Sequence, residues 1–171
     1  VEFSQRVQAQ AEAKREKVSP ATIFALFKSD YLDRADDAAA DAFRLDGRAI
    51  AETTSPKAAC AFTASLVRGG RERHLACAGA APAAALIAAL NADAGFDVFV
   101  SHESAEAAPE PDGGFVAYVE LTAGVASSPA FGVARGSSPL VATLSATVRA
   151  LNRLRDLAPA ALGDSAVARA S

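Results

Sequence analysis

The sequence predicts an α+β fold in which two units of three strands and one helix follow a short helical segment. Three observations predict it. Short alternating runs of apolar and polar residues begin near Phe43, a Gly-x-x-Pro turn opens an apolar helical stripe twice, and the second turn repeats the first at a fixed offset. With 171 residues, of which 51% are hydrophobic, the chain can bury a core of its own.

Residues 1–34 are predicted to form a helical linker subdomain. Apolar residues recur at helical spacing in "VEFSQRVQAQA", and Ser19-Pro20 has the pattern of an N-cap followed by proline at the first helical position. The next stretch, 35–42, is acidic and lacks large apolar side chains. It is predicted to be a linker between two domains.

The first strand–helix unit is predicted over 43–94. Its runs "ACAFTASLV" and "RERHLAC" flank Gly69-Gly70, which predicts a hairpin because both glycines accept positive φ. A helix is predicted to begin at Pro82, with Gly95 as its C-cap.

The second unit is predicted over 96–154. "FDVFVSH", "GFVAYVELT" and "AFGVAR" have the pattern of strands, and the last helix begins near Ser138-Pro139. The two units together make a domain over 43–155. Residues 156–171 lack sustained periodicity and are predicted to be a flexible tail.

The two units are predicted to be an internal pseudo-repeat. Gly79 and Pro82 occupy the same places in the first unit as Gly136 and Pro139 in the second, where a third strand turns into a helix. Alanine matches add little in so alanine-rich a chain, so the glycine and proline pairs carry this prediction.

Composition excludes several classes of function. The net charge of -3 gives no basic patch for nucleic acid or an anionic membrane, and no apolar run reaches the roughly 20 residues of a membrane span. Cys60 and Cys77 lack metal-site spacing and are expected to be inert buried thiols. His74 and His102 have no partners at ligand spacing and receive no role. A soluble, cytoplasmic protein is expected.

The two small-residue helix starts are the candidate binding sites. A helix start offers unpaired N–H groups and the positive end of the helix dipole, so it attracts an anion without a cationic side chain. The starts at 79–82 and 136–139 suit a carboxylate with a short aliphatic body, such as a branched amino acid. The alternative is that Gly-x-x-Pro serves only the turn and its packing.

Several quoted segments resemble one family over residues 1–155. "VEFSQRVQ", "VSPATIFALFKSDYL", "ALIAALNADAGFDVFV", "AYVEL" and "FGVA" leading to "TVRALNRL" look like the C-terminal part of 2-isopropylmalate synthases. The resemblance implies a linker subdomain and a regulatory domain of two βββα units that pairs in a homodimer. The resemblance further implies that leucine binds to this domain and that this binding is a feedback inhibition of leucine biosynthesis.

The resemblance also implies what this chain lacks. A catalytic barrel with a divalent metal, acetyl-CoA and 2-oxoisovalerate would precede Val1, so this chain alone is expected to hold no cofactor and to catalyse nothing. The implied leucine contacts lie at the first helix start, after the fourth strand, near Gly113 and Phe115, and at the second helix start. With the turn residues added, the predicted effector-binding residues are Gly79, Ala80, Ala81, Ala83, Ala84, Val100, Glu103, Ala107, Gly136, Ser138 and Pro139.

Two of these residues depart from the family pattern. Ala81 stands where a glycine is usual, and Glu103 stands where a tyrosine is common. The carboxylate of Glu103 would either pair with the ammonium group of a ligand or spoil an apolar pocket.

Three alternatives remain open. The chain could be a dimerisation module that binds no effector, for which Ala81 and Glu103 are the best support, or the regulatory domain of a citramalate synthase that responds to isoleucine. An independent enzyme is disfavoured because the sequence offers no convincing set of nucleophile, base and oxyanion donors.

Overall fold

A computed structural model describes residues 40–108, 113–124 and 128–162. The chain divides into two units, Val1–Ala35 and Asp36–Ser171, and every described residue belongs to the second. The linker subdomain predicted over 1–34 lies outside the described residues, as does most of the linker predicted over 35–42. Both stay predictions.

The described part is a mixed α/β fold with two antiparallel three-stranded sheets and two long helices. In chain order the elements are β1 (Arg44–Thr53), β2 (Cys60–Arg68), β3 (Arg71–Gly79), α1 (Pro82–Ala94), β4 (Val98–Ala107), β5 (Phe115–Ala123), β6 (Ala130–Gly136), α2 (Pro139–Leu157) and a 3-10 helix (Pro159–Leu162). Strands β1, β2 and β3 pair in that order in the first sheet, and β4, β5 and β6 pair in that order in the second.

The predicted hairpin between β2 and β3 is confirmed. The two strands pair in unbroken register from Cys60 opposite Gly79 to Arg68 opposite Arg71. Gly69 and Gly70 close the turn with φ of 55° and 74°. Positive φ at two successive positions is the conformation that a side chain disfavours, so the glycine pair decides where the chain reverses.

Each sheet buries one face under a helix. Strand β5 alternates strictly, with buried Ala117, Val119, Leu121 and Ala123 separated by more exposed residues. Helix α1 packs mainly on β3, whereas α2 packs on β5 and β6, and the two helices contact each other. Side chains from both sheets and both helices therefore join in one hydrophobic core; its largest fully buried members include Phe62, Leu66, Leu86, Leu90, Leu121, Leu144 and Leu151.

A buried amide fixes the start of β1 against α2. The side chain of Asn152 accepts a hydrogen bond from the Phe43 N–H at 2.7 Å and donates one to the Phe43 carbonyl at 3.0 Å. The Phe43 ring packs edge-on against Phe96 at 5.9 Å between centroids, and the Arg68 guanidinium lies 4.6 Å from its centroid. Both backbone groups of Phe43 are therefore satisfied in the core, which holds the start of β1 against α2.

The structure differs from the sequence prediction at the start of the tail. Residues 156–162 were expected to be flexible, but α2 continues to Leu157 and a 3-10 helix follows. Leu162 is only 1% exposed, and its carbonyl accepts a hydrogen bond from Arg68 at 3.2 Å. Leu162 and the partly buried Ala158 both pack on the hydrophobic core, and periodicity over a few residues does not indicate these contacts. Residues 163–171 lie outside the described residues.

Candidate functional site

Both predicted helix starts border one cavity. Its volume is about 460 Å³, and Pro82 of α1 and Pro139 of α2 both line it. The end of β1, the β1–β2 loop and the start of β2 complete the wall, with Thr53, Ser55 and Cys60 among the lining residues. The fold thus brings the first turns of two helices, far apart in sequence, to a space large enough for a small molecule.

The first turn of α1 has its N–H groups paired within the chain. The Ala84 N–H donates to one carboxylate oxygen of Glu103 at 3.1 Å, and the Ala83 N–H lies 3.5 Å from the other. The Ala85 N–H donates to the carbonyl of Ala81 at 2.9 Å, and the proline between has no N–H. The amides that were predicted to hold an effector carboxylate therefore hold a carboxylate of the protein itself.

Glu103 reaches these amides from the second sheet. It lies on β4 opposite the buried Val119, and directly opposite residues of paired strands share a face. Its side chain consequently points to the side that the helices cover. A negative charge at a helix N-terminus is stabilised by the helix dipole, and its hydrogen bonds to the backbone are charge-assisted.

Because α1 has no local N-cap side chain, a residue distant in sequence can accept the hydrogen bonds of its first turn. Ala81 is the N-cap residue, with extended backbone at φ -150°, and its methyl side chain accepts no hydrogen bond. Two N–H groups of the first turn would remain without an acceptor if Glu103 did not supply one. The missing cap at position 81 is the sequence signal that could have indicated a distant acceptor.

The start of α2 is capped locally. Ser138 has extended backbone, and its hydroxyl accepts a hydrogen bond from the Val141 N–H at 3.2 Å. The Ala142 N–H donates to the Ser138 carbonyl at 3.0 Å. Ser138, predicted to contact an effector, therefore caps its own helix, which is what serine commonly does at this position.

The glycine of each Gly-x-x-Pro turn lies beneath its helix. A Cβ atom on Gly79 would lie 3.1 Å from the Ala85 Cβ, and one on Gly136 would lie 2.8 Å from the Ala142 Cα. The first turn of each helix thus packs directly on the end of the preceding strand. Both glycines have a packing reason of their own, which supports the alternative that the motif serves the turn.

The remaining predicted site residues are spread over the neighbourhood. Ala80 and Ala81 form the turn before α1, Val100 is half-buried on β4, and Ala107 ends β4 opposite Phe115. Of the eleven predicted effector-binding residues, the structure brings Glu103, Ala83 and Ala84 into contact, and it places Pro139 on the cavity wall.

The cavity wall formed by the β1–β2 loop and by Cys60 is not predicted by the sequence. The Cys60 thiol donates to the Gly79 carbonyl at 3.5 Å. The pKa of the Cys60 thiol is raised, mainly by burial; interaction with the Gly79 backbone opposes this rise, and the negative charge of Glu103 adds to it to a smaller extent. The charge of Glu103 therefore affects the pKa of a residue that lines the cavity.

The second thiol belongs to the core. Cys77 is 3% exposed, and burial, with a smaller contribution from Cys60, raises its pKa to about 11. The raised pKa disfavours the reactive thiolate form; the burial expected from the sequence is found at Cys77, whereas Cys60 is only partly buried.

Metal ligands and membrane-spanning helices are not found in the ranges that the structure describes. Those ranges contain no group of three or more histidine, cysteine, aspartate or glutamate side chains placed to hold a metal ion. Within them, no helix combines the length and the apolar character that crossing a bilayer requires.

Comparison with known proteins adds no family. A scan against protein-family models and a search of curated proteins both give no match to this chain. The resemblance to 2-isopropylmalate synthases therefore rests on the sequence segments alone.

Proposed function

We propose that this chain is an effector-binding regulatory domain of the 2-isopropylmalate synthase type, and that leucine is its effector. The observation that carries the proposal is the cavity of about 460 Å³ that both helix starts border. Pockets of this size are typical of small-molecule sites. In this proposal the domain pairs with a second copy, and occupancy inhibits a cytoplasmic parent enzyme that condenses acetyl-CoA with 2-oxoisovalerate.

We propose further that the domain consists of two repeated βββα units. Each half has three antiparallel strands followed by a helix that begins at a proline. The close approach of Gly79 to Ala85 has its counterpart in that of Gly136 to Ala142, at the same place in each half. A shared origin of the two halves would explain why both helix starts border one site.

The lining of the cavity suits a small amino acid. The hydroxyls of Thr53 and Ser55 can donate to a carboxylate, and the carboxylate of Glu52 can accept from an ammonium group. Phe62 and Leu140 supply apolar surface for a branched side chain. Occupancy would change how the two halves pack, with a coupling of about 1–3 kcal/mol as is usual for allosteric sites.

Calorimetric titration of the chain with leucine, isoleucine and valine tests the proposal. Leucine should give saturable heat and raise the melting temperature, since a ligand of the folded state stabilises it. Ala58→Phe, which places a ring in the cavity wall, should abolish the heat. Ala76→Phe, on an exposed position of β3 away from the cavity, is the matched control and should leave it unchanged. Absence of heat and of a thermal shift with all three amino acids contradicts the proposal.

A module that dimerises without an effector is the second candidate. The contact of Glu103 with the Ala83 and Ala84 amides favours it, because one predicted anion site is already filled. Sedimentation that finds a dimer unaffected by any of the three amino acids would support this candidate. Preference for isoleucine in the titration would instead support the citramalate synthase type.

A further inference from the structure

Glu103 joins the two halves of the domain at the edge of the cavity. Its strand, β4, belongs to the second sheet, whereas α1 packs mainly on β3 of the first. Each of its two carboxylate oxygens faces one of two successive amides of the first turn. A free carboxylate bound at a helix start would have the same arrangement.

We propose that this contact is autoinhibitory: Glu103 occupies the start of α1 as an internal anion and opposes binding of a carboxylate effector in the adjoining cavity. The domain then has a closed form with Glu103 on the amides and an open form in which it has left them. The inference rests on the proposed function, because that function supplies the effector.

Two observations connect the contact to the cavity. Pro82, the residue immediately before the two amides, lines the cavity wall. Cys60 lines it as well, and the charge of Glu103 raises the pKa of its thiol. A carboxylate that enters the cavity beside Pro82 therefore finds that the first turn of α1, whose positive end would attract it, already holds a negative charge.

The contact is also able to open. Glu103 is only half-buried and Ala84 is exposed, so the side chain can rotate into solvent without unfolding its surroundings. The bond to the Ala83 N–H, at 3.5 Å, is long for a hydrogen bond. When only the open form binds a ligand, the apparent affinity falls by the fraction of open molecules, so loss of the Glu103 charge should raise it.

The test measures leucine binding to the natural chain and to Glu103→Gln and Glu103→Ala by calorimetry. Both variants should bind leucine about 2-fold more tightly, as expected when the contact keeps about half of the molecules in the closed form. Glu106→Gln is the control. It removes the same charge from the same strand, but at a position opposite Val116 on the other face of the sheet. It should bind leucine as the natural chain does.

A second ligand shows whether the gain depends on the effector's carboxylate. Leucinol keeps the ammonium group and the branched side chain but lacks the carboxylate. Its affinity should not rise in Glu103→Gln. If Glu103 only capped α1, Glu103→Gln would change the affinities for leucine and leucinol in the same way.

Each outcome decides between the proposals. Equal leucine affinity in the natural chain and both Glu103 variants overturns the autoinhibitory contact and leaves the proposed function intact. Binding by the variants alone supports the contact and shows that the natural chain is not the leucine sensor proposed. No binding by any of the proteins overturns both proposals, and an equal gain for leucinol overturns the competition between carboxylates.

Discussion

The starts of α1 and α2 have the same sequence pattern and different caps. Both follow a glycine on which the helix backbone packs, and both have proline at the first helical position. At α2 the Ser138 hydroxyl, one residue before the helix, accepts from the first turn. At α1 the acceptor is Glu103, which lies 20 residues beyond the first amide it contacts and on the other sheet.

The difference separates a local structural signal from a tertiary one. The cap of α2 is encoded within four residues, so it forms whenever that turn forms. The cap of α1 exists only when β4 and α1 are in place together. Under the proposed function, the first turn of α1, and not that of α2, is therefore the one that would respond to a change in how the two sheets pack.

The largest effect is expected from alanine at the two turn glycines. Gly136→Ala should lower the free energy of unfolding by about 3 kcal/mol, because the new methyl group meets backbone atoms of α2 that cannot move alone. Gly79→Ala meets the side-chain methyl of Ala85 and should cost only about 1 kcal/mol. Denaturant unfolding of both variants measures the difference.

Gly47 provides the control for this pair. No atom lies within 4 Å of a Cβ built there, so Gly47→Ala should change stability little. If Gly79→Ala proved as costly as Gly136→Ala, the two helices would be packed equally tightly on their strands. The contrast between the two starts would then lie in the caps alone.

Removing either cap should destabilise the fold less than Gly136→Ala does, and the two losses of stability should depend differently on salt. Ser138→Ala should cost about 1 kcal/mol, since a neutral N-cap hydrogen bond is lost. Glu103→Ala should cost about 0.5 kcal/mol, because the contact is partly exposed and one bond is long. Added salt should reduce the cost of Glu103→Ala and leave that of Ser138→Ala unchanged, because only the first involves a charge. Denaturation with urea, which is uncharged, at two salt concentrations measures this, and equal salt dependence of the two costs would refute an electrostatic cap on α1.

Much of the fold follows from local sequence. The Gly69-Gly70 hairpin, the helix begun by Pro82 and ended by Gly95, and the helix begun after Ser138 are each decided by residues within one turn of the chain, and each is confirmed. Gly95 has φ of 68° and donates its N–H to the Asn91 carbonyl, as expected for a glycine that ends a helix.

Less of the candidate site than of the fold could be predicted from local sequence. Unpaired amides were expected at both helix starts, but whether an amide is paired depends on residues that the fold brings close. The sequence indicates Glu103 as a possible partner for a ligand ammonium group, but it does not indicate the contact of Glu103 with Ala83 and Ala84. The cavity wall contributed by the loop before Cys60 has no motif, and the packing of Ala158 and Leu162 on the core involves residues distant in sequence.

A local cap introduced on α1 should compete with Glu103 for the same amides. Ala81 has the extended backbone of an N-cap, so the hydroxyl in Ala81→Ser can accept from the Ala83 or Ala84 N–H. In the Glu103→Ala background, Ala81→Ser should restore about 0.5 kcal/mol of stability, whereas in the natural chain it should add almost nothing. Denaturation of the natural chain, the two single variants and the double variant gives the coupling energy. If the gain from Ala81→Ser is the same in both backgrounds, Glu103 does not cap α1, and the start of α1 is as open to an external anion as the sequence alone predicts.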